Sequence, residues 1–539
     1  MNKIKKIHEQ NKFINYIIAP LIIFVFAYLL RIFFFSGFIL CDDAQEFPLI
    51  VHLLDHSPNF NDPVNVRFTL WLFNLIFFKL FDVSEFTFFL PTLIMSSSIS
   101  VIGYFILYSR GHKVSHSFLA ALFIASVPFE VLMGTLRAND LIFSWLLALS
   151  ILFLFIFEKK EVTQGVLIAF LMWLAFYIKV WVVYLFPALF CYYLFKFLRE
   201  KRYWGLVSFS ITSFFLHFIT SIYWKIKINQ FLPFLSKYSA TYPVQIDYLK
   251  TLWAIYPKLL FKGSEFGTTL FGIIPYILIL LLLLRVFLII LSVKKSPNPL
   301  SKLDRLDYTL IVYYTSFFLL LNFFPNTFKF DQYYSVPRIF RYLASLSFPM
   351  TLHVAKLLID ITRHLTDSTL IRKAIKIKTD VLLIILVMGL IFVNIYQTEE
   401  ATRPGTIYHK NLLSILQDIK KESPPAVISE SWIGFFLKNV YLKDTGIDII
   451  TVNQVYKAKD YEKWLNKTQN TFKPGTMLIT GLGGCVHYGA HYDGFKLNYF
   501  DRSLNPEWIL FREYRLLSYL PSPEVARLWV LSDVQKEIE

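Results

Sequence analysis

Long apolar segments separated by short polar connectors occupy the first 396 residues of the chain. A membrane-spanning helix needs about 20 apolar residues. Eleven segments approach that length: 14–35, 86–109, 115–136, 141–157, 162–178, 180–198, 203–226, 268–293, 308–324, 339–360 and 381–396. A further apolar segment, 67–81, is shorter and favours a helix lying in the membrane interface. The pattern predicts an all-α polytopic membrane domain over residues 1–396, with about 11 transmembrane helices plus interfacial helices.

Basic residues fall in every second connector, and basic short connectors stay on the cytoplasmic side. Six connectors share this property, carried by Lys3, Lys5, Lys6, Lys12, Arg110, Lys113, Lys159, Lys160, Lys196, Arg199, Lys201, Arg202, Lys294, Lys295, Lys302, Arg305, Arg363, Arg372, Lys373, Lys376 and Lys378. The remaining connectors then face outward, at 36–85, 137–140, 179, 227–267, 325–338 and from 397 on. The alternation predicts a multi-pass protein of the inner (plasma) membrane with a cytoplasmic N-terminus.

The last part of the chain, residues 397–539, has a different pattern of apolar and polar residues. Five short β-rich segments, 426–429, 448–452, 476–480, 508–511 and 527–531, alternate with turn signals and helix-permissive stretches. About 140 residues is a normal domain size. We therefore expect a small extracytoplasmic α/β domain after the membrane domain.

Composition agrees with the membrane assignment. Of the 539 residues, 55% are hydrophobic and 17% charged, and the mean hydropathy is +0.51, whereas soluble domains carry about 25% charged residues. The net charge of +16 could indicate nucleic-acid binding, but the Lys and Arg residues lie between the apolar segments, where membrane topology requires them. This distribution excludes nucleic acid as the expected partner. Three scattered cysteines are too few for a metal cluster.

An acidic cluster opens the first outer connector, 36–85, which we call the first outer loop. Asp42 and Asp43 follow the first span, and Glu46 comes one helical turn later. Solvated carboxylates that simply end a helix are common, and that interpretation is as good as a functional one when the cluster is taken alone. Clustered carboxylates at a helix exit are also candidates for a site.

Other ionisable residues lie in further outer connectors. Arg137 and Asp140 occupy a very short turn, where Asp140 could simply cap the next helix. Lys179 lies in a tight hairpin, where it could snorkel to the interface or bind a phosphate. Arg67 opens the interfacial segment. Arg31 near the outer end of the first span is expected to snorkel toward the acidic cluster.

Arg338 and Arg341 enter the tenth span from the outer side. Their i,i+3 spacing places them on one helix face, and two arginines beside a helix N-terminus bind phosphate well. Anchoring in the interface beside Tyr333, Tyr334 and Tyr342 is the simpler alternative. Each candidate residue has a simple structural explanation of this kind. Separate explanations account less well for the position of all of these residues on the outer side. The predicted site combines Asp42, Asp43, Asp140, Lys179, Arg338 and Arg341, with Glu46, Arg67 and Arg137 as further candidates.

The order of these residues resembles the GT-C superfamily of membrane glycosyltransferases, of the protein O-mannosyltransferase and aminoarabinose-transferase type (families 39 and 83). The resemblance covers roughly residues 14–360 and is carried by the acidic pair, the segments 78–86 and 89–91, Asp140, Lys179, Pro187, Arg341, Tyr342 and Pro349. The sequence departs from that pattern at 62–67, where a His-Pro-Pro-Leu phrase is common, and at Asp42-Asp43, where Asp-Glu is usual. The sugar and the acceptor are therefore not specified.

The resemblance implies a sugar donor linked to polyprenyl phosphate and a glycan, lipid or protein acceptor whose hydroxyl attacks the anomeric carbon with inversion. It implies a hexosyl- or pentosyltransferase with Asp43 as general base, Asp42 being the second choice. Lys179, Arg338 and Arg341 would stabilise the leaving phosphate, and Asp140 would orient the base, the acceptor or a cation. Carboxylates suit Mg²⁺ or Mn²⁺, but the cationic residues could replace such an ion, so no cofactor is predicted.

Three other functions fit parts of the pattern. A secondary transporter would need ionisable residues near the middle of the bilayer and two similar halves, whereas here the charges lie at one face. A lipid-linked glycan ligase or polymerase would carry a large late outer loop, whereas 325–338 is short. A scaffold whose outer domain binds partners would need no site at all.

Overall fold

A computed structural model describes residues 13–38, 42–60, 63–136, 139–231, 270–292, 304–323, 340–367, 379–452, 471–480, 508–515 and 525–532, with isolated positions between 233 and 261. Its α-helices are α1 (Ala19–Phe33), α2 (Asp42–His52), α3 (Pro63–Val66), α4 (Phe68–Leu80), α5 (Glu85–Ser109), α6 (Val114–Ala125), α7 (Pro128–Thr135), α8 (Asn139–Ile156), α9 (Glu161–Phe176), α10 (Phe186–Glu200), α11 (Trp204–Ile228), α12 (Ile274–Ser292), α13 (Arg305–Phe323), α14 (Ala344–Asp367), α15 (Thr379–Glu422) and α16 (Ser431–Phe436). Its strands are β1 (Ala426–Glu430), β2 (Asp448–Val452), β3 (Met477–Thr480), β4 (Trp508–Arg515) and β5 (Val525–Leu531).

Seven helical segments in the described part of the chain are long and apolar enough to cross a membrane: Ile14–Phe33, Glu85–Ser109, Asn139–Ile156, Val180–Glu200, Trp204–Ile228, Ala344–Leu365 and Asp380–Arg403. The third predicted span is a bent pair, α6 and α7, with an angle of 56° between its parts. Shorter apolar helices occupy the fifth and eighth predicted positions, and α13 the ninth. The predicted polytopic fold is confirmed, although several spans are shorter or more bent than the apolar pattern suggests.

The C-terminal sheet has the strand order β2-β1-β3-β5-β4. Strand β1 pairs in parallel with β2 and β3, while β5 pairs antiparallel with β3 and β4. Each predicted β-rich segment overlaps one strand, and the helix α16 directly follows β1. The predicted small α/β domain is confirmed. We call the end of the helix bundle that contacts this domain the domain end.

A single helix connects the bundle to the sheet. Helix α15 runs for 44 residues, or about 66 Å at 1.5 Å per residue, which is far longer than a bilayer requires. The sequence predicts a span that ends at residue 396, but the helix continues to Glu422. Its second half is polar on one face and packs the apolar side chains of Tyr408, Leu412 and Ile415 into a core shared with the domain.

The C-terminal domain packs directly on the first outer loop. Phe38 and Phe47 are fully buried in the same core as Phe436, and the ring centroids of Phe38 and Phe436 are 3.9 Å apart. Glu85 accepts hydrogen bonds from the Phe38 backbone N–H (3.2 Å) and pairs with His409 of α15 (2.9 Å). The loop that carries the acidic pair is therefore fixed on one side by the domain.

Gly37 makes this contact sterically feasible. Its φ of +62° is a left-handed conformation that side chains with a Cβ rarely adopt. A Cβ at this position would also lie within 2.7 Å of both the His409 ring and the Glu85 carboxylate. Glycine is therefore required where the chain turns from α1 toward α2.

Candidate functional site

The two connectors that follow α7 and α9 meet at the domain end. Asp140 lies in the first turn of α8, and Lys179 lies three residues beyond the end of α9 in an extended conformation. The Lys179 ammonium donates a hydrogen bond to Oδ1 of Asp140, and the side chains of Lys179 and Asp140 are only 10% and 3% exposed. A charge pair this well shielded from water interacts strongly, because the effective dielectric is low.

Two aromatic rings complete the surroundings of Lys179. Its ammonium lies 4.6 Å from the ring centroid of Trp181 and 4.1 Å from that of Tyr342. The two rings themselves pack edge to face at 4.3 Å. Tyr342 belongs to a short 3₁₀ turn, Phe340–Leu343, that precedes α14. Cation–π contacts of this kind hold an ammonium in place without neutralising its charge.

Glu46 connects the first outer loop to the same region. Its Oε1 accepts a hydrogen bond from the side-chain amide of Asn139, the residue beside Asp140. Glu46 and Asn139 are both buried, at 6% and 4% exposure. The contact ties α2, which begins with Asp42 and Asp43, to the first turn of α8.

Arg67 binds the backbone directly before Lys179. Its Nε and one terminal nitrogen donate to the backbone carbonyl of Ile178 at 3.0 and 2.6 Å. Ile178 directly precedes Lys179, and both arginine donors bind an oxygen that the end of α9 leaves without a helical partner. In this geometry Arg67 holds the backbone next to Lys179.

The remaining predicted site residues are only partly described. Asp42 and Asp43 open α2, but their side chains lie outside the described part of the structure. Arg341 lies in the Phe340–Leu343 turn, next to Tyr342, and its side chain is likewise not described. Arg137 and Arg338 fall outside the described residues.

No group of three or more His, Cys, Asp or Glu side chains that could hold a metal ion occurs among the described residues. Glu46 and Asp140, the two described acidic site residues, bond to Asn139 and Lys179 respectively. Asp42 and Asp43, whose side chains lie outside the described residues, are the remaining acidic candidates for binding a divalent ion.

Sequence reasoning did not single out Trp181, Asn139 or the Ile178 carbonyl as parts of the site. Trp181 lies two residues from Lys179, and an aromatic residue beside a lone cation in a tight hairpin is a signal that could have been used. The Ile178 carbonyl gives no sequence signal, because any residue supplies one.

Tyr342 offers a test of this arrangement. Replacing Tyr342 by Leu removes the cation–π contact to Lys179. If the Lys179 ammonium serves a reaction, we expect the rate of that reaction to fall about 2- to 30-fold, which corresponds to roughly 0.5–2 kcal/mol. Tyr342→Phe keeps the ring and should stay close to wild type. Steady-state kinetics of both variants check the prediction, and equal losses in Phe and Leu variants would contradict it.

Comparison with known proteins adds a family match. Residues 63–224 match the family described as dolichyl-phosphate-mannose-protein mannosyltransferase. The matched region contains Arg67, Asp140 and Lys179. It confirms the resemblance to GT-C membrane glycosyltransferases that the sequence predicts. No curated protein sequence matches the chain.

Two solved structures align with most of the chain at low sequence identity. ArnT from Cupriavidus metallidurans bound to undecaprenyl phosphate shares 10% sequence identity, with a TM-score of 0.46, and the alignment covers 86% of this chain and 87% of that one. The apo state of the same protein shares 9% identity, with a TM-score of 0.48, over 85% and 87% of the two chains.

Proposed function

We propose that this protein is a membrane glycosyltransferase that moves a sugar from a polyprenyl-phosphate donor to an acceptor hydroxyl at the domain end of the bundle, on the extracytoplasmic side of the inner membrane. The observation that carries the proposal is the buried Asp140–Lys179 pair, which lies inside the family-matched region. A buried lysine enclosed by aromatic rings at the end of a helix bundle suits an anionic phosphate beside an apolar lipid chain.

In the reaction the acceptor oxygen forms a bond to the anomeric carbon as the bond from that carbon to the phosphate oxygen breaks. The acceptor proton passes to a carboxylate, for which Asp43 is our first choice and Asp42 the second. Both residues open α2, and Glu46 of the same helix is bonded to Asn139. This contact supports a site that combines the acidic pair with Asp140 and Lys179.

The leaving group is an anionic lipid phosphate, so it needs positive charge more than it needs a proton. Lys179 supplies that charge from a fixed position, because Asp140, Trp181 and Tyr342 surround its ammonium. Pre-positioned charge in a site shielded from water stabilises developing negative charge without reorganisation. Arg341, next to Tyr342, and Arg338 would add to it. A single displacement of this kind inverts the anomeric centre.

The test uses the purified protein in lipid with a radiolabelled sugar on polyprenyl phosphate, and a nucleotide-linked form of the same sugar as the matched control. We expect discharge of the lipid-linked donor with release of polyprenyl phosphate, and no consumption of the nucleotide sugar. Failure to consume any lipid-linked donor would contradict the proposal and favour a transporter. Repeating the assay with a chelator shows whether Mg²⁺ or Mn²⁺ is needed.

A further inference from the structure

The third span is broken close to the site. Helix α6 ends at Ala125 and α7 begins at Pro128, and the two meet at an angle of 56°. Proline at the first helical position has no N–H to donate, and the break takes carbonyl groups out of the helical ladder. Inside a bilayer such carbonyls must find partners within the protein.

Arg31 supplies partners on one side of the break. The sequence predicts that it snorkels toward the acidic cluster, but the structure buries it at 1% exposure. Its terminal nitrogens donate to the Ala125 carbonyl (3.0 Å), the Ala27 carbonyl (2.9 Å) and the Ser96 carbonyl (3.3 Å), and its Nε donates to Ser96 Oγ (2.7 Å). A fork of rigid donors can reach several acceptors at once, as an ammonium cannot.

Ser96 extends this contact across the break. Its hydroxyl accepts from Arg31 and donates to the Glu130 carbonyl at 2.7 Å. Arg31 and Ser96 of α5 together thus bind Ala125 on one side of the break and Glu130 on the other.

Helix α15 also contacts the break. The Asn394 amide donates to Ser126 Oγ at 3.1 Å, and the Thr398 hydroxyl lies 3.4 Å from the Ser126 carbonyl. Asn394 and Thr398 are both buried. Polar side chains of α1, α5 and α15 therefore bind three backbone carbonyls around one bend, those of Ala125, Ser126 and Glu130.

Helix α7 links the bend to the first turn of α8, which carries Asp140. Helix α7 has eight residues, or about 12 Å of length, and it packs against α8, whose first turn carries Asn139 and Asp140. A rotation of 10° at the break would displace the far end of α7 by roughly 2 Å over that length. Misplacement of catalytic groups by about 1 Å can cost 100-fold in rate.

We propose that Arg31 is a positioning residue for the Asp140–Lys179 pair, acting through the direction of α7. The expected loss of kcat rests on the proposed function. The expected effect on the direction of α7 does not. In this role Arg31 contacts neither a substrate nor Lys179. It fixes the break at the start of α7, the helix that packs against the first turn of α8.

The experiment compares Arg31→Lys with a matched control, Arg285→Lys. Arg285 is a second buried arginine, 3% exposed, that donates to Asp307 between α12 and α13. We expect Arg31→Lys to speed amide hydrogen exchange over residues 129–140 and to lower kcat about 10- to 100-fold, corrected for the folded fraction. Arg285→Lys should leave exchange in that segment and the corrected kcat at the wild-type values.

Ser96→Ala provides a milder second variant if Arg31→Lys does not fold. It removes the hydroxyl that links Arg31 to Glu130, and the same segment should exchange faster. Unchanged exchange over residues 129–140 in these variants would overturn the proposal, as would equal kcat losses in the Arg31 and Arg285 variants. If the wild-type protein transfers no sugar, and the Arg31 and Ser96 variants still exchange faster over residues 129–140, the proposed function is rejected. The positioning of α7 by Arg31 then stands.

Discussion

Replacing Lys179 by Met is expected to lower sugar transfer by about 100- to 1,000-fold, the loss typical when one pre-positioned charge-stabilising donor is removed. Met preserves most of the side-chain volume and its apolar contact with Trp181 and Tyr342, so the change isolates the charge. The measurement is the rate of donor discharge by purified protein in lipid.

The same variant should also destabilise the protein, because it leaves the Asp140 carboxylate buried without the lysine charge. Breaking a buried ion pair by removing one partner costs about 3–5 kcal/mol. Combining Lys179→Met with Asp140→Leu removes both charges and should recover most of the lost thermal stability, while activity stays low. Recovery of activity together with stability would contradict the role of Lys179 in catalysis.

Lys196→Met is the matched control for this experiment. Lys196 is also a buried lysine, with 1% side-chain exposure, and its ammonium lies 3.3 Å from a carboxylate oxygen of Glu161. Lys196 lies in the last turns of α10, whereas Lys179 lies before the N-terminus of that helix. This variant should lose stability, whereas its transfer rate, corrected for the folded fraction, should stay close to wild type.

Asp43→Asn is expected to lower kcat by about 100- to 10,000-fold, because an amide cannot accept the proton of the acceptor hydroxyl. In the proposed site Lys179 and the arginines, rather than this carboxylate, bind the donor, so KM for the donor should change little. Steady-state kinetics of Asp43→Asn and Asp42→Asn measure both effects, with the larger loss expected for Asp43.

Asp55→Asn controls for the general loss of a carboxylate in the first outer loop. Asp55 is exposed and follows the end of α2, and its replacement should leave kcat unchanged. A fully active Asp43→Asn protein that remains folded would show that the acidic pair only ends the first span, and that another group accepts the proton.

The sequence by itself determined the class of fold. A bilayer requires that backbone polar groups be satisfied within each segment, so apolar length alone locates helices such as α5, α8 and α11. Alternation of β-rich runs and turn signals likewise located all five strands of the C-terminal sheet. These features depend on local pattern, and local pattern is what a sequence displays.

The candidate site could be predicted only in part from the sequence. Asp140 and Lys179 could be named because ionisable residues are rare in such short connectors. Their direct pairing could not be predicted from the sequence, because 39 residues separate them and their contact depends on how α8 and α9 pack. Arg67 was named as a candidate, but its binding to the Ile178 carbonyl follows from the position of α4 and not from its residue type.

Tertiary structure alone decided three further features. Arg31 is buried rather than snorkelling, because the broken third span presents carbonyl groups that need donors within the bilayer. Helix α15 continues past the predicted membrane boundary, because its polar half buries an apolar face against the C-terminal domain. That domain packs on the first outer loop through Phe38 and Phe436. Each outcome is set by a partner far away in the chain, and hydrophobic periodicity identifies a buried face without identifying what covers it.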